Sequence, residues 1–150
     1  MLDDYITDDE LSKHRAKYEA IKLPNDDEMF QFALNLVRAK PKKHVEEGFN
    51  LFQDVFRRTR DEDTKRDALY YMAVAQTKLN NYEQALKYLQ SILNIQPTNE
   101  QVRDLYIEVN SRMKKDGLIG LGIVGGAALV GMFGIVGLGA ALLAKRKFFN

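Results

Sequence analysis

The sequence predicts an all-α protein: a six-helix bundle of two tandem helical hairpins with a capping helix at each end, followed by one C-terminal transmembrane helix. Three observations carry this prediction. Residues 117–144 form an unbroken run of 28 uncharged residues. Outside that run only Gly48 of the ten glycines and the three prolines punctuate the chain, which suits helices with short connections. Between residues 29 and 93, apolar residues recur at helical period in two matching sets. The implied organisation is an N-terminal arm and capping helix over 1–24, a hairpin domain with its C-terminal capping helix over 25–116, a membrane anchor over 117–144 and a short basic tail over 145–150.

The first helix is announced by "TDDE" at 7–10, a capping box with Thr7 as N-cap and Glu10 reaching back. Leu11, Tyr18 and Ile21 then make a narrow apolar stripe that ends near Pro24. Ahead of it, "MLDDYI" carries Leu2, Tyr5 and Ile6, apolar residues with no helix of their own to serve.

The hairpins are read from internal similarity. Val45, Gly48, Phe49, Phe52, Val55 and Phe56 match Tyr82, Ala85, Leu86, Leu89, Ile92 and Leu93 at a constant spacing of 37. Each set follows i, i+3, i+4, i+7, i+10, i+11, one buried helical face with a small residue where two helices cross closely. The preceding helices match at a spacing of 40, with Met29, Phe32, Ala33 and Leu36 against Leu69, Met72, Ala73 and Gln76. The unequal spacings imply three extra loop residues in the first pair, near "PKK" at 41–43.

A second capping box, "TNEQ" at 98–101, opens a sixth helix with Val102, Leu105, Tyr106, Val109 and Met113 on one face. It is expected to act as both cap and stalk, because the uncharged run follows almost at once. That run holds 13 Leu, Ile, Val or Phe, five Ala, nine Gly and Met132. A hydrocarbon core of about 30 Å needs roughly 20 helical residues, so the run is long enough to cross. Its large apolar residues favour insertion by about 4–8 kcal/mol before the glycines subtract from that. The backbone must still be helical there, since unpaired amides in lipid cost several kcal/mol each.

The acidic start "MLDDYITDDE" resembles neither a secretory signal nor a transit peptide. The tail is thus the visible targeting information, and its place at the end predicts insertion after synthesis with the N-terminal part in the cytosol. A weakly hydrophobic, glycine-rich span followed by Lys145, Arg146 and Lys147 fits the outer mitochondrial and peroxisomal membranes. Gly122 and Gly126 form a GxxxG, a candidate helix-packing contact for a homo-oligomer.

Composition narrows the chemistry. Residues 1–116 hold 19 Lys and Arg against 21 Asp and Glu, a formal charge of −2, which argues against a nucleic-acid platform. Zero cysteines exclude disulfides and thiolate chemistry. His14 and His44 are the only histidines and read as surface residues, and the acidic clusters suit the positive ends of helix dipoles. Neither a catalytic nor a metal site is expected, nor a cofactor.

Within "RDALYYMAVAQTKLNNYEQALKYLQSILNIQPTN", residues 66–99, small Ala73 and Ala85, Tyr82, Ile92 and Pro97 fall at positions 8, 20, 17, 27 and 32. This resembles a tetratricopeptide repeat, although Leu69 and Gln76 replace an expected early aromatic and tyrosine. The resemblance implies a concave, peptide-binding groove lined by the first helix of each hairpin. Its register assigns Phe30, Leu34, Val37 and Arg38 from the first repeat and Tyr70, Val74, Thr77 and Lys78 from the second. The floor is apolar and the edge basic. Phe30 and Leu34 stand where chaperone-binding repeats carry Lys and Asn, which disfavours chaperone docking. Leu2, Tyr5 and Ile6 are available to cover the groove as a regulatory arm that a partner displaces.

With "FALNLVR" at 32–38 and "MKKDGLIGLGIVGG" at 113–126 in this order before a glycine-rich tail, the whole chain resembles the mitochondrial fission 1 family. The resemblance implies a two-repeat domain on the outer mitochondrial membrane, and often on peroxisomes. It further implies a single-pass, cytosol-facing protein with its C-terminus in the intermembrane space that recruits a dynamin-related GTPase directly or through adaptors. It also implies an N-terminal arm over the concave face. The competing expectation is an import receptor for targeting helices. Such helices are basic, and Arg38 and Lys78 should repel them.

Overall fold

The computed structural model describes residues 2–118, which are helical with short connections and contain no strand. The chain divides into two compact units, Met1–Leu79 and Asn80–Asn150. The first holds α1 (Asp8–Glu19), α2 (Asp26–Val37), α3 (Lys42–Arg58) and α4 (Glu62–Lys78). The second holds α5 (Tyr82–Ile95), α6 (Glu100–Met113) and a π-turn, Lys114–Leu118. Six α-helices are therefore present among the described residues, in the predicted order.

In the first unit, α1 begins at the predicted box: Thr7 Oγ1 accepts from the Glu10 amide at 3.2 Å, and Glu10 Oε2 accepts from the Thr7 amide at 3.1 Å. α2 has a box of the same kind that the sequence reading passed over, Asn25 with Glu28, at 2.7 and 3.0 Å. α2 and α3 cross at Gly48. A Cβ there would lie 2.8 Å from Val37 Cγ2 and 2.9 Å from the Ala33 carbonyl, so only glycine permits the approach. The residues expected to be extra loop near 41–43 are mostly helix: Pro41 is the N-cap of α3, and Lys42 and Lys43 form its first turn. Proline's fixed φ suits a helix start, so the added length extends α3.

The core of this unit includes Leu36, Val37, Val45, Phe52 and Val55, all within 1% of full burial. Each such side chain contributes about 1.5–3 kcal/mol by leaving water. α1 is attached more thinly. Leu11 is its one buried residue, Tyr18 stacks on Phe32 at 4.4 Å, and Arg15 forms a bidentate pair with Glu47 of α3 at 2.8 and 2.9 Å.

In the second unit, Tyr82, Ala85, Leu86, Leu89 and Ile92 of α5 are buried, as are Val102, Leu105 and Val109 of α6. α6 is capped by Asn99, whose side chain accepts from the Val102 amide at 3.1 Å. The cap thus lies one residue beyond the predicted Thr98. Asn is at least as good an N-cap as Thr, and the reciprocal Gln101 falls out of register. After α6, Gly117 takes φ 81 inside the π-turn, a left-handed conformation that suits glycine. The hydroxyl of buried Tyr82 donates to Asp116 and lies 3.0 Å from Asn80 Oδ1, tying the start of α5 to this turn. Burial and then the Asp116 hydrogen bond push Tyr82 up to about 12. Among the described residues no helix is long and apolar enough to cross a membrane. Apart from Gly117 and Leu118, which belong to the π-turn, the expected span at 117–144 lies outside them, as do Gly122, Gly126, Lys145, Arg146 and Lys147.

Candidate functional site

The eight groove positions all fall in the first unit, on α2, α4 and the C-cap of α2. Their exposure divides them. Val37 and Val74 are 0% exposed and Thr77 is buried, its hydroxyl donating to the Ala73 carbonyl at 2.8 Å. Phe30, Leu34, Arg38, Tyr70 and Lys78 are half-buried and keep part of their surface in solvent.

Two regions result. Phe30 stands edge-on to Phe52 and to Tyr71, with centroids 5.1 and 5.8 Å away. Tyr71 in turn stacks near Phe52 at 5.5 Å and meets Tyr70 edge-on at 5.1 Å. These rings join α2, α3 and α4 in one aromatic cluster whose outer members are only half-covered. Burial raises the Tyr71 hydroxyl's pKa, so that ring stays neutral at physiological pH.

The other region is basic and centres on the C-terminal end of α2. The last carbonyls of a helix lack intrahelical partners. Here Lys78 Nζ, from α4, donates to the Val37 carbonyl and to the Ala39 carbonyl, the latter at 3.3 Å. The arrangement places a cation at the negative end of the α2 dipole. Burial brings Lys78 down to about 8, opposed by Asp4 and more weakly by Asp3, while Arg38 pushes in the same direction as burial.

The N-terminal arm lies on this basic end. Ile6 donates its amide to the Arg38 carbonyl at 3.1 Å, and its side chain packs into a cluster with Leu11, Phe32, Leu36 and Ala39. Leu2 and Ile6 are each 7% exposed. Tyr5 is 44% exposed, with two ammonium groups near its ring, Lys78 Nζ at 4.9 Å and Lys40 Nζ at 5.0 Å from the centroid. Asp4 Oδ2 is 3.2 Å from Arg38 Nε, an ion pair whose direction misses hydrogen-bond geometry. Arg38 and Lys78 from the groove assignment thus meet Tyr5 and Ile6 from the arm assignment. Phe30 and Tyr70 belong instead to the aromatic cluster.

Asp4 and Lys40 were not singled out from sequence, although an acidic "LDDYI" opposite a basic "RAKPKK" at 38–43 is a legible complement. No group of three or more metal-binding side chains occurs among the described residues. The surface presents apolar rings at one end, and at the other cations beside helix-end carbonyls that accept from Lys78 and Ile6.

Residues 66–118 match the family model described as the Fis1 C-terminal tetratricopeptide repeat. The mitochondrial fission 1 proteins of Bos taurus and Homo sapiens are each 33% identical over 150 residues, 98% of this chain and 97% of theirs. The chain belongs to the mitochondrial fission 1 family. The FIS1-related protein fis-1 of Caenorhabditis elegans is 35% identical over 115 residues, 77% of this chain and 78% of that one. Among solved structures, the fission protein Fis1 from Saccharomyces cerevisiae has a TM-score of 0.69 at 20% identity, covering 80% of this chain and 93% of its own. Yeast Fis1 in complex with an Mdv1 fragment containing N-terminal extension and coiled coil domains also has a TM-score of 0.69, at 21% identity, covering 78% and 92%. At such identities the likeness establishes the fold, which is the tetratricopeptide-like arrangement that the repeat pattern predicts. The mitochondrial fission 1 family is one of adaptors and not of enzymes.

Proposed function

We propose that this chain is a tail-anchored adaptor of organelle fission on the outer mitochondrial membrane, and also on peroxisomes. Its helical domain faces the cytosol, residues 117–144 cross the bilayer once and the C-terminus lies in the intermembrane space. The domain recruits a dynamin-related GTPase, directly or through an adaptor such as the coiled-coil fragment that yeast Fis1 binds. The observation that carries this reading is the surface shared by α2 and α4, where half-exposed Phe30, Leu34 and Tyr70 adjoin Arg38 and Lys78. It suits an amphipathic or extended segment, with rings for its apolar side and cations for its acids. Val37, Val74 and Thr77 support the floor from beneath. Leu2, Tyr5 and Ile6 form a regulatory arm over one end of the surface, so partner access depends on whether the arm is seated.

The protein supplies address and docking, and the GTPase supplies force. Confinement to a membrane raises effective concentration, so a weak interaction suffices where partners assemble multivalently. The testing experiment is binding of the full-length chain, in detergent micelles, to a dynamin-related GTPase, to a coiled-coil adaptor fragment and to a basic presequence peptide. Selective binding of the GTPase or the adaptor, weakened at least tenfold by Leu34→Glu in a folded variant, supports the reading. Binding of the presequence alone would make the chain an import receptor instead.

A further inference from the structure

The arm does more than cover the basic end: its contacts define a ligand. Residues 3–6 run without helix, and each contributes to the contact. Asp3 acts electrostatically on Lys78, and Asp4 reaches Arg38 Nε at 3.2 Å. Tyr5 supplies an aromatic face to Lys40 and Lys78, at 5.0 and 4.9 Å. Ile6 gives one amide to the Arg38 carbonyl at 3.1 Å and an aliphatic side chain to the Leu11, Phe32, Leu36 and Ala39 cluster.

Two of the receiving groups, the Arg38 carbonyl and the Lys78 ammonium, are held independently of the arm. Arg38 is the C-cap of α2, where a free carbonyl is expected. Lys78 is fixed by the Val37 and Ala39 carbonyls. Cation–π and partly exposed ion-pair contacts of this sort are individually modest and screened by salt. The same set from another chain can therefore replace them. Thr7 caps α1 directly after the arm, so residues 2–6 can leave without unwinding a helix.

We propose that the C-terminal end of α2, with Arg38, Lys40 and Lys78, recognises an acidic peptide of the pattern acid, acid, aromatic, aliphatic on a partner protein, and that residues 3–6 are its tethered stand-in. The proposal rests on the adaptor reading for the partner's identity, and its ligand chemistry comes from the arm itself. A tethered ligand has an effective concentration in the millimolar range, so a free copy competes poorly until the arm is unseated.

The test uses a fluorescent peptide of residues 1–10, MLDDYITDDE, and the full-length chain in micelles, unsubstituted or with Asp4→Lys and Tyr5→Ala in its own arm. The expected result is binding at least about tenfold tighter to the substituted chain. That binding falls about tenfold when the peptide carries Tyr5→Ala, and weakens as salt rises from about 0.05 to 0.5 M. A peptide with Asp4→Arg should regain affinity for a substituted chain that also carries Arg38→Glu, which a folding defect would not produce. The proposal is overturned if the substituted chain binds a scrambled peptide equally well, or if the charge swap restores nothing. Self-association of the unsubstituted chain that the peptide dissolves would also overturn it, by giving the seat to a second copy's arm. An adaptor fragment that binds without displacing the peptide overturns the partner assignment. Peptide binding with no adaptor binding at all supports the ligand pattern and removes only the adaptor reading.

Discussion

At the scale of single residues, two positions carry consequences out of proportion to their size. Gly48 sets the distance between α2 and α3, because an added Cβ would meet the Ala33 backbone carbonyl at 2.9 Å and Val37 Cγ2 at 2.8 Å. Alanine favours an isolated helix by about 1 kcal/mol over glycine, but overpacking against backbone costs about 1–3 kcal/mol. Gly48→Ala should therefore lose about 1–2 kcal/mol in urea denaturation; an unchanged midpoint would mean that the two helices separate freely there. Lys78 is the second position. It holds a charge near Asp3, Asp4, Arg38, Lys40 and the Tyr5 ring, yet burial still brings it down to about 8 from 10.5. Between those values the unfolded chain binds more protons at this site than the folded one, so its contribution to stability rises with pH. That contribution is fully present above 10.5 and is lost as pH falls through about 8. The stability of the unsubstituted chain relative to Lys78→Met should consequently increase from pH 8 to pH 10, measured as a difference in urea midpoints. A flat difference would show that Lys78 titrates like a solvated lysine.

At the scale of elements, what local sequence controls was legible and what distant pairing controls was not. The Thr7 and Glu10 box and the buried faces of α3, α5 and α6 follow from spacings of three or four residues, and they appear where expected. The α6 cap moved by one residue because Thr98 and Asn99 are both capable caps and only the chain's path chooses between them. The added residues near Pro41 lengthened α3 because proline starts a helix as readily as it breaks one. For the candidate site, register assigned Arg38 and Lys78 to the groove. It could not reveal that Asp4 and Tyr5, more than thirty residues away in sequence, meet them. Nor does register predict which groove positions are wholly enclosed, since the enclosure of Val37 and Val74 depends on packing between elements. α1 illustrates the energetic side of this limit. With Leu11 as its one buried residue, it relies on the Tyr18 and Phe32 stack and on the pair between Arg15 and Glu47. The hydrogen bond from Arg15 holds the Glu47 carboxyl below its ordinary range. This stabilising contribution is present above the ordinary carboxylate pKa and is lost as pH falls through the lower folded value. A double-mutant cycle of Arg15→Ala and Glu47→Ala should give a coupling of about 0.5–1 kcal/mol at pH 7, fading in strong acid. α1 amides should also exchange with solvent faster than those of α3, and equal protection would show that α1 opens only with the whole unit.

At the scale of the whole molecule, recognition and address occupy different stretches of chain, and the proposed function requires them to be separable. The proposed recognition groups lie between Leu2 and Lys78, whereas the proposed address comprises the uncharged run at 117–144 and Lys145, Arg146 and Lys147. A glycine-rich run gains only modest free energy from insertion, so flanking charge has unusual leverage over the membrane that accepts it. Each Lys or Arg near an anionic leaflet contributes about 1 kcal/mol of attraction, and reversal of three such charges replaces attraction with repulsion. The variant Lys145→Glu, Arg146→Glu and Lys147→Glu should consequently leave mitochondria, in imaging of cells, while the same chain in micelles binds its adaptor with unchanged affinity. Conversely, Arg38→Glu with Lys78→Glu should stay on mitochondria and lose the adaptor. Each variant tests the other: if reversing the tail charges also abolished binding in micelles, docking and address would share residues. The chain would then not be a docking module carried by an independent anchor.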